Sequence, residues 1–505
     1  MRRRLLLTGR DIGENKSGTF FRREESFKLN ARMRERSFRE FLKILEIQRQ
    51  RKENAVAVDL KKEYIMIIGN GYLLTNDAEH PYIKDGAVRI KGDTVDQIGE
   101  TADLRAKYPE DDFIDAESRV IMPGMINAHT HIYSAYARGM SVSGPTTNFP
   151  EILENMWWAL DRRLTMEDNT LSAYLTYIES IRNGVTTLFD HHASPHAAKG
   201  SLFALAEAAK NIGIRASFSL ETSDRDGEAI TDEEIEENVD FMKAVNTDDQ
   251  DMIKGMFGMH ASFTISDKTM EKIKKAMEGV NGGYHVHVAE GREDQYDSLK
   301  KYDCPVVDRL WGWGILGPDT LAIHAVNVNN RELDILKDTE TKVVHNPMSN
   351  MGNAIGAPRV VGMLKRGIPV GLGTDAYTHD MFESMKVAKI LQSHRLSDPT
   401  HGFGEALTMQ FDYNPVIASY FFKRPIGMLK PGAAADLITL DYVPYTPFGA
   451  NNWKGHLLFG AFGRMTNDVI INGKTVMRNR EILTIDEEAV YARTRERAAI
   501  VWDGI

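Results

Sequence analysis

A (β/α)8 barrel carrying a small β-sandwich domain, built from both ends of the chain, is the fold that the sequence predicts. Three observations point to it. Between residues 120 and 425 eight short apolar runs alternate with helical patterns, which is the arithmetic of an eight-stranded βα barrel. Strand-like runs punctuated by Gly, Asn and Asp flank that region over residues 66–119 and 426–490. Nine of the 15 histidines stand at the carboxyl ends of the eight runs, where such barrels carry their active sites.

In chain order, residues 1–65 hold 18 Lys and Arg against 10 Asp and Glu, a net of +8 in a chain whose total is −10. The segment mixes acids with bases and shows only weak helical periodicity around Phe38–Ile47. It reads as a disordered N-terminal extension, or an over-long gene start ahead of Met66, rather than a nucleic-acid or membrane arm. Tyr64–Ile68, Tyr72–Thr75, Ala87–Lys91 and Thr94–Ile98 then read as strands, with turn signals at Asp85-Gly86 and Lys91-Gly92-Asp93. Their expected partners lie near the other terminus, in Asp436–Asp441, Asp468–Asn472 and Lys474–Arg478, with a last helix over 491–505.

The barrel, expected over 120–425, opens with Val120-Ile-Met-Pro-Gly-Met-Ile-Asn-Ala-His-Thr-His131. Its other strands are Val185–Phe189, Ile214–Leu220, Met256–His260, Tyr284–Val288, Leu321–Ala325, Lys342–His345 and Pro369–Leu372. Helical patterns such as Leu171–Asn183, Ser201–Ile212 and Lys268–Glu278 separate them. No Gly-x-Gly-x-x-Gly follows a strand, which argues against a doubly wound dinucleotide-binding sheet.

Composition narrows the class. Hydrophobic content of 42% and charged content of 27% are ordinary for a soluble protein. No apolar run approaches the roughly 20 residues of a membrane helix, and Leu5-Leu6-Leu7 is too short for a secretory signal. Cys304, the one cysteine, excludes an internal disulfide and any Cys-x-x-Cys metal site. A cytoplasmic enzyme is expected, and any metal must sit on histidines and carboxylates.

His129 and His131 supply half of such a site, because residues i and i+2 of a strand project to one face. The other strand ends bring Asp190-His191-His192, His260, His285 and His287 with Glu290 three residues beyond, His324, His345-Asn346 and Thr374-Asp375. This set of His-x-His, His-x-x-Glu, His and Asp resembles the amidohydrolase superfamily. It is most similar to the branch of cytosine, guanine and S-adenosylhomocysteine deaminases that includes triazine chlorohydrolases. Within it, Tyr284-His-Val-His-Val-Ala-Glu-Gly291, His345-Asn-Pro-Met-Ser-Asn-Met-Gly352 and Asp380-Met-Phe-Glu-Ser-Met385 resemble the SsnA family of aminohydrolases.

The resemblance implies that His129, His131, His287 and Asp375 bind one divalent metal, zinc or alternatively iron, with Glu290, His324 and Asp375 as acid/base groups beside the attacking water. A metal brings bound water towards a pKa of roughly 7, and deamination then needs protons carried to the ring nitrogen and the leaving ammonia. His260 and Asn350 are expected to bind substrate, His285 to be structural or supporting, and Asn346, Ser349 and Asn350 to shape the strand-seven loop around substrate or metal ligands. The long loop from about Ile132 to Arg163 is an expected lid, whose Trp157 or Trp158 could stack on a planar heterocycle. Strand four lacks the lysine that bridges two metals in urease-like relatives, so one ion is expected.

The function expected is therefore a metal-dependent aminohydrolase cleaving an exocyclic C–N bond of a small, purine-related heterocycle. The alternatives are hydrolytic ring opening, and a non-catalytic metal-binding accessory to a selenium-dependent hydroxylase. The expected partner is a small heterocyclic molecule, with neither nucleic acid nor membrane, and with homodimerisation left open.

Overall fold

The computed structural model describes residues 38–40, 42–43, 64–247 and 251–505. The described residues fall into two units, divided between Val56 and Ala57. In the first, the described residues 38–40 and 42–43 are helical; the reading of residues 1–65 as an extension otherwise lies outside the described residues.

The second unit is an α/β body of three sheets. Its strands are β1 (Ile65–Leu74), β2 (Tyr82–Lys91), β3 (Thr94–Glu100), β4 (Asp112–Asp115), β5 (Val120–Pro123), β6 (Met125–Thr130), β7 (Val185–Asp190), β8 (Arg215–Phe218) and β9 (Ile253–Gly255). There follow β10 (Phe257–Ala261), β11 (Tyr284–Val288), β12 (Leu321–His324), β13 (Lys342–His345), β14 (Val370–Leu372), β15 (Leu437–Leu440), β16 (Thr466–Ile471), β17 (Lys474–Arg478) and β18 (Glu481–Ile482). A nine-stranded mixed sheet runs β18-β17-β16-β15-β5-β1-β2-β3, with β4 also on β1. Both ends of the chain thus contribute to it, and its buried face gathers Ile68, Leu73, Val88, Ile121, Leu437 and Ile470.

Two parallel sheets, β6-β7-β8-β9 and β10-β11-β12-β13-β14, occupy the middle of the chain. Parallel strands need a crossover between them, which the helices Met166–Arg182, Ser201–Ile212, Asp267–Ala276 and Asn330–Asp338 supply. The helix over 201–212 spans the same residues as its sequence pattern. The two sheets share one interior: Ile126 and Phe189 of the first pack with Leu321, Ile323 and Val344 of the second, under Ile417, Ala418 and Phe422. Isolated parallel bridges also link them, Thr130 of β6 to Asp375 beyond β14 and Thr222 beyond β8 to Met259 of β10.

The first barrel strand of the sequence reading is divided. Val120–Pro123 pairs with β1 and β15 in the mixed sheet, while Met125–Thr130 pairs with β7. The break falls at Gly124, where a Cβ would stand 2.1 Å from the Thr186 hydroxyl. No other residue type fits so close an approach. The expected fourth strand, Met256–His260, is β10, Phe257–Ala261, and is preceded by the short β9 on the other parallel sheet. The last helix runs Glu487–Val501 rather than 491–505. Arg497 docks it through Nε and Nη2 on the two oxygens of buried Asp168, each at 2.8 Å.

Arg215, the first residue of β8, lies fully buried against Asp436 beside β15, with Nε at 2.9 Å and Nη2 at 3.2 Å. Removing one partner of a buried pair strands the other's charge, at a cost of about 3–5 kcal/mol. Asp436→Ala is accordingly expected to lower the unfolding free energy in urea by that amount. A change within about 0.5 kcal/mol, the scale of an ordinary surface substitution, would show that the pair does not hold the parallel and mixed sheets together.

Candidate active site

Period-two alternation builds the floor of the site. In β11, Tyr284, Val286 and Val288 share one face and His285 and His287 the other; in β6, His129 stands one pleat before His131, which follows the strand end. Asp375 is pinned above β6, because the amides of Thr374 and Asp375 both donate to His129 O (2.9 and 3.1 Å) and Thr130 Oγ1 donates to Asp375 O at 3.2 Å. Ala289, His324, Ala325 and Asp375 all have left-handed backbone, with φ of 45°, 71°, 47° and 56°. That conformation costs an L-residue about 1–2 kcal/mol, and here it recurs at the strand ends that carry the polar side chains.

Hydrogen bonds fix which ring nitrogens point inward. Ser219 gives its single hydroxyl hydrogen to Asp190 O (2.9 Å), so it accepts from His285 Nδ1–H (3.3 Å). His285 Nε2 is then an acceptor, and takes the Nδ1–H of His129 at 2.8 Å. His129 is left with a lone pair on Nε2, an atom buried without a hydrogen-bond partner. His131 donates Nδ1–H to His191 O (2.5 Å) and His287 donates Nδ1–H to His260 O (2.9 Å), so each also offers Nε2 inward.

These nitrogens converge. His131 Nε2 lies 3.3 Å from His287 Nε2 and 3.2 Å from Asp375 Oδ1, and His129 Nε2 lies 4.0 Å from the same oxygen. Burial opposes a proton on His131, yet its hydrogen bond to Asp375, together with the charges of Asp375 and Glu221, raises it to about 9. Burial also opposes charge on Asp375, but His131 and His324 hold its carboxyl below the usual range. Burial keeps His129 and His287 neutral. Three imidazole lone pairs and a carboxylate are a donor set that a divalent cation fits, in the place of the proton shared by His131 and Asp375.

His324 differs. Its Nδ1 accepts from Asn350 Nδ2 at 2.8 Å, so Nε2 carries the hydrogen and faces Glu290 Oε2 at 3.4 Å and Asp375 Oδ2 at 3.5 Å. Burial lowers His324 to about 4. Burial and the neighbouring Asp375 raise Glu290 well above the carboxylate range.

A cavity of about 600 Å³ opens over this cluster, lined by His131, His260, His287, Glu290 and Asp375. Its outer wall is the segment expected as a lid, in which the helix Phe149–Ile152 passes through a π-helical turn, Leu153–Trp157, into Trp158–Asp161. Such turns widen a helix locally and recur at functional sites. Trp157 and Trp158 both line the cavity; the ring of Trp158 stands edge-on to His260 with centroids 5.9 Å apart. Asn350 lies behind His324 and is not among the lining residues. His191 stacks on His285 at 4.5 Å, and His192 Nε2 lies 2.9 Å from Ser194 Oγ.

Glu221, three residues past β8, was not anticipated. It lies 3.5 Å from His131 Nδ1 and lines the cavity, and burial pushes it up to about 7. Arg225 lines the same wall and binds Asp161 at 3.0 Å. The only signal in the sequence was position, since the third strand ends in Leu220-Glu221; a lone glutamate has no spacing to mark it.

Residues 120–476 match the Amidohydrolase family. The 5'-deoxyadenosine deaminase of Methanosarcina mazei is 31% identical over 440 residues, 86% of this chain and 97% of that protein. The 5-methylthioadenosine/S-adenosylhomocysteine deaminase of Caldanaerobacter subterraneus subsp. tengcongensis is 31% identical over 441 residues, 86% and 98%. Among solved structures, an adenosine deaminase from Xanthomonas campestris with bound zinc superposes with a TM-score of 0.77 at 22% identity, over 86% of this chain and 98% of that one. An atrazine chlorohydrolase from Arthrobacter aurescens, complexed with zinc, does so with 0.71 at 19%, over 86% and 100%.

If His285 orients His129, His285→Phe leaves the His129 Nδ1–H without its acceptor. The expected result is a 10- to 100-fold weaker zinc affinity, about the usual effect of removing a ligand's supporting partner, read by competition with a chromogenic chelator. Undiminished affinity would overturn the orienting role.

Proposed function

We propose, from the premise that the chain belongs to the amidohydrolase family, that it is a metal-dependent aminohydrolase removing an exocyclic amino group from a small purine-related heterocycle. The observation that carries the reading is the juxtaposition of three inward Nε2 atoms and Asp375 with the Nε2–H of His324 and the carboxyl of Glu290, at the floor of an aromatic-walled cavity. The names of the deaminase relatives support the purine class.

His129, His131, His287 and Asp375 would hold one divalent ion, and zinc suits this nitrogen and oxygen donor set. Bound there, it supplies a Lewis acid that brings water towards ionisation near neutral pH. Asp375 Oδ2 accepts a proton from the attacking water, and the Nε2–H of His324 orients the oxygen towards the ring carbon. Glu290, kept protonated by burial, delivers its proton to the ring nitrogen as the carbon becomes tetrahedral. Asn350 acts by holding the tautomer of His324. Trp157 stacks on the heterocycle and His260 binds it at the cavity wall.

The same reading takes the two parallel sheets as one closed (β/α)8 barrel, supported by their shared interior and the isolated bridges, and the mixed sheet as a β-sandwich domain beside it. Among the described residues no helix is long and apolar enough to cross a membrane, which accords with a cytoplasmic enzyme.

Purines, pyrimidines and triazines are to be screened for ammonia release and ultraviolet change together. Deamination releases one ammonia per turnover and shifts the ring absorbance; ring opening releases none and abolishes it. On the active substrate, Glu290→Gln is expected to retain about one metal ion per chain and to lower kcat by about 100-fold or more, as loss of acid/base catalysis does. An active substrate yielding no ammonia would replace deamination by ring opening, and two ions per chain would overturn the single-metal site.

A further inference from the structure

Resting on the aminohydrolase reading, we propose that Glu221 and His260 together receive the departing amino group, and so set the leaving-group preference of the site.

Glu221 is 3% exposed and lines the cavity. Its carboxylate makes no hydrogen bond to a described residue; the nearest ring nitrogens are His131 Nδ1 at 3.5 Å, His260 Nε2 at 3.9 Å and His191 Nδ1 at 4.0 Å. Arg225, the neighbouring guanidinium, donates through Nη2 to Asp161 and through Nε to Ser223, each at 3.0 Å, and its Nη1 makes no hydrogen bond to a described residue. His260 also presents an acceptor. Thr264 Oγ1 gives its hydrogen to Ala261 O (3.1 Å), so it accepts from His260 Nδ1–H (2.8 Å). The Nε2 lone pair of His260 therefore faces Glu221 Oε2. Two acceptors 3.9 Å apart, neither hydrogen-bonded by a donor of the described residues, call for a group with two donors.

Position says which group. An oxygen of Glu221 and one ring nitrogen each of His131 and His287 lie within 4.8 Å of one another, and Glu221 lines the same cavity, so what it meets is a group held close to these histidines, not a distant sugar hydroxyl. An exocyclic amino group has the two N–H donors required there. Chloride or an ether oxygen has none and sets lone pairs against the carboxylate.

The step balances without a co-reactant. Water oxygen bonds to the ring carbon, and one water proton passes to the ring nitrogen. The exocyclic C–N bond then breaks with its electron pair on nitrogen, which takes the second water proton and leaves as ammonia, while the oxygen remains as the ring carbonyl. Glu221 and His260 accept from the amino hydrogens as the nitrogen is protonated, so they favour the charge that develops on the departing group.

The test compares adenosine with 6-chloropurine riboside, which differ only in the leaving group, and reads zinc content alongside. Wild type is expected to prefer the amine. Glu221→Met, similar in volume and without an acceptor, is expected to lower the amine-to-chloride ratio of kcat/KM by about 10-fold or more, and Glu221→Gln by less, both with zinc retained. A ratio unmoved in both variants overturns the proposal, as does loss of zinc, which would make Glu221 a metal ligand. Wild type converting neither compound would overturn this proposal for a 6-aminopurine and leave the aminohydrolase reading to the screen; conversion of both with an unmoved ratio would sink this proposal alone.

Discussion

The direction of three N–H bonds governs the rest of the site. His129, His131 and His287 each have an outward Nδ1–H held by an acceptor: His285 Nε2, His191 O and His260 O. A neutral imidazole has one hydrogen, so fixing it outward fixes the lone pair inward. Two of the acceptors are backbone carbonyls at strand ends, and the third depends on a relay through Ser219 to Asp190 O. Burial alone would only make these rings neutral; it would not aim them. His324 shows the contrast, since Asn350 donates to its Nδ1 and the same chemistry leaves a hydrogen, not a lone pair, facing the centre. On the proposed reading, a donor in place of an acceptor behind the ring is what separates a histidine that would hold the metal from one that orients the water.

The scaffold explains why so many polar groups can meet without collapsing the core. Parallel strands deliver side chains of one face to a common interior, and apolar residues such as Leu321, Ile323 and Val344 pack together between the sheets. The polar groups sit where regular pairing stops, at Ala289, His324, Ala325 and Asp375, whose left-handed backbone turns the chain across the sheet end. The strain is local, and the bridge from Thr130 to Asp375 and the paired amides on His129 O hold it in place.

Much of this was legible in the sequence because it is periodic. His129 and His131, and His285 and His287 with Glu290, follow the pleat of a strand, and β11 and β13 were read at their observed bounds. What was not legible depends on contacts distant in sequence. The division of the first strand at Gly124 comes from its approach to Thr186, 62 positions away. The place of Asn350 behind His324 is a tertiary contact, and the sequence motif shows only that it is near. Glu221 stands alone at the end of the third strand, with no second residue at a telling interval.

The acidic look of the cavity wall overstates how much of it can meet a ligand. Asp224 is already bound by Ser266 N and Thr269 Oγ1, and Asp294 by Phe263 N and Ala289 N; both hold loops. The arginine that would balance them, Arg225, is committed to Asp161 and lies 4.9 Å from the Trp158 ring centroid. Net charge therefore says little about what enters. The carboxyls near the centre are Glu221, Glu290 and Asp375, each set against a ring nitrogen at 3.2 to 3.5 Å. An adenosine deaminase and an atrazine chlorohydrolase each share the fold of this chain at 22% and 19% identity to it, so fold alone does not select the leaving group. Selection has to rest on groups that touch it; on the proposed reading Glu221, three residues past β8 and beside His131, serves there as an acceptor.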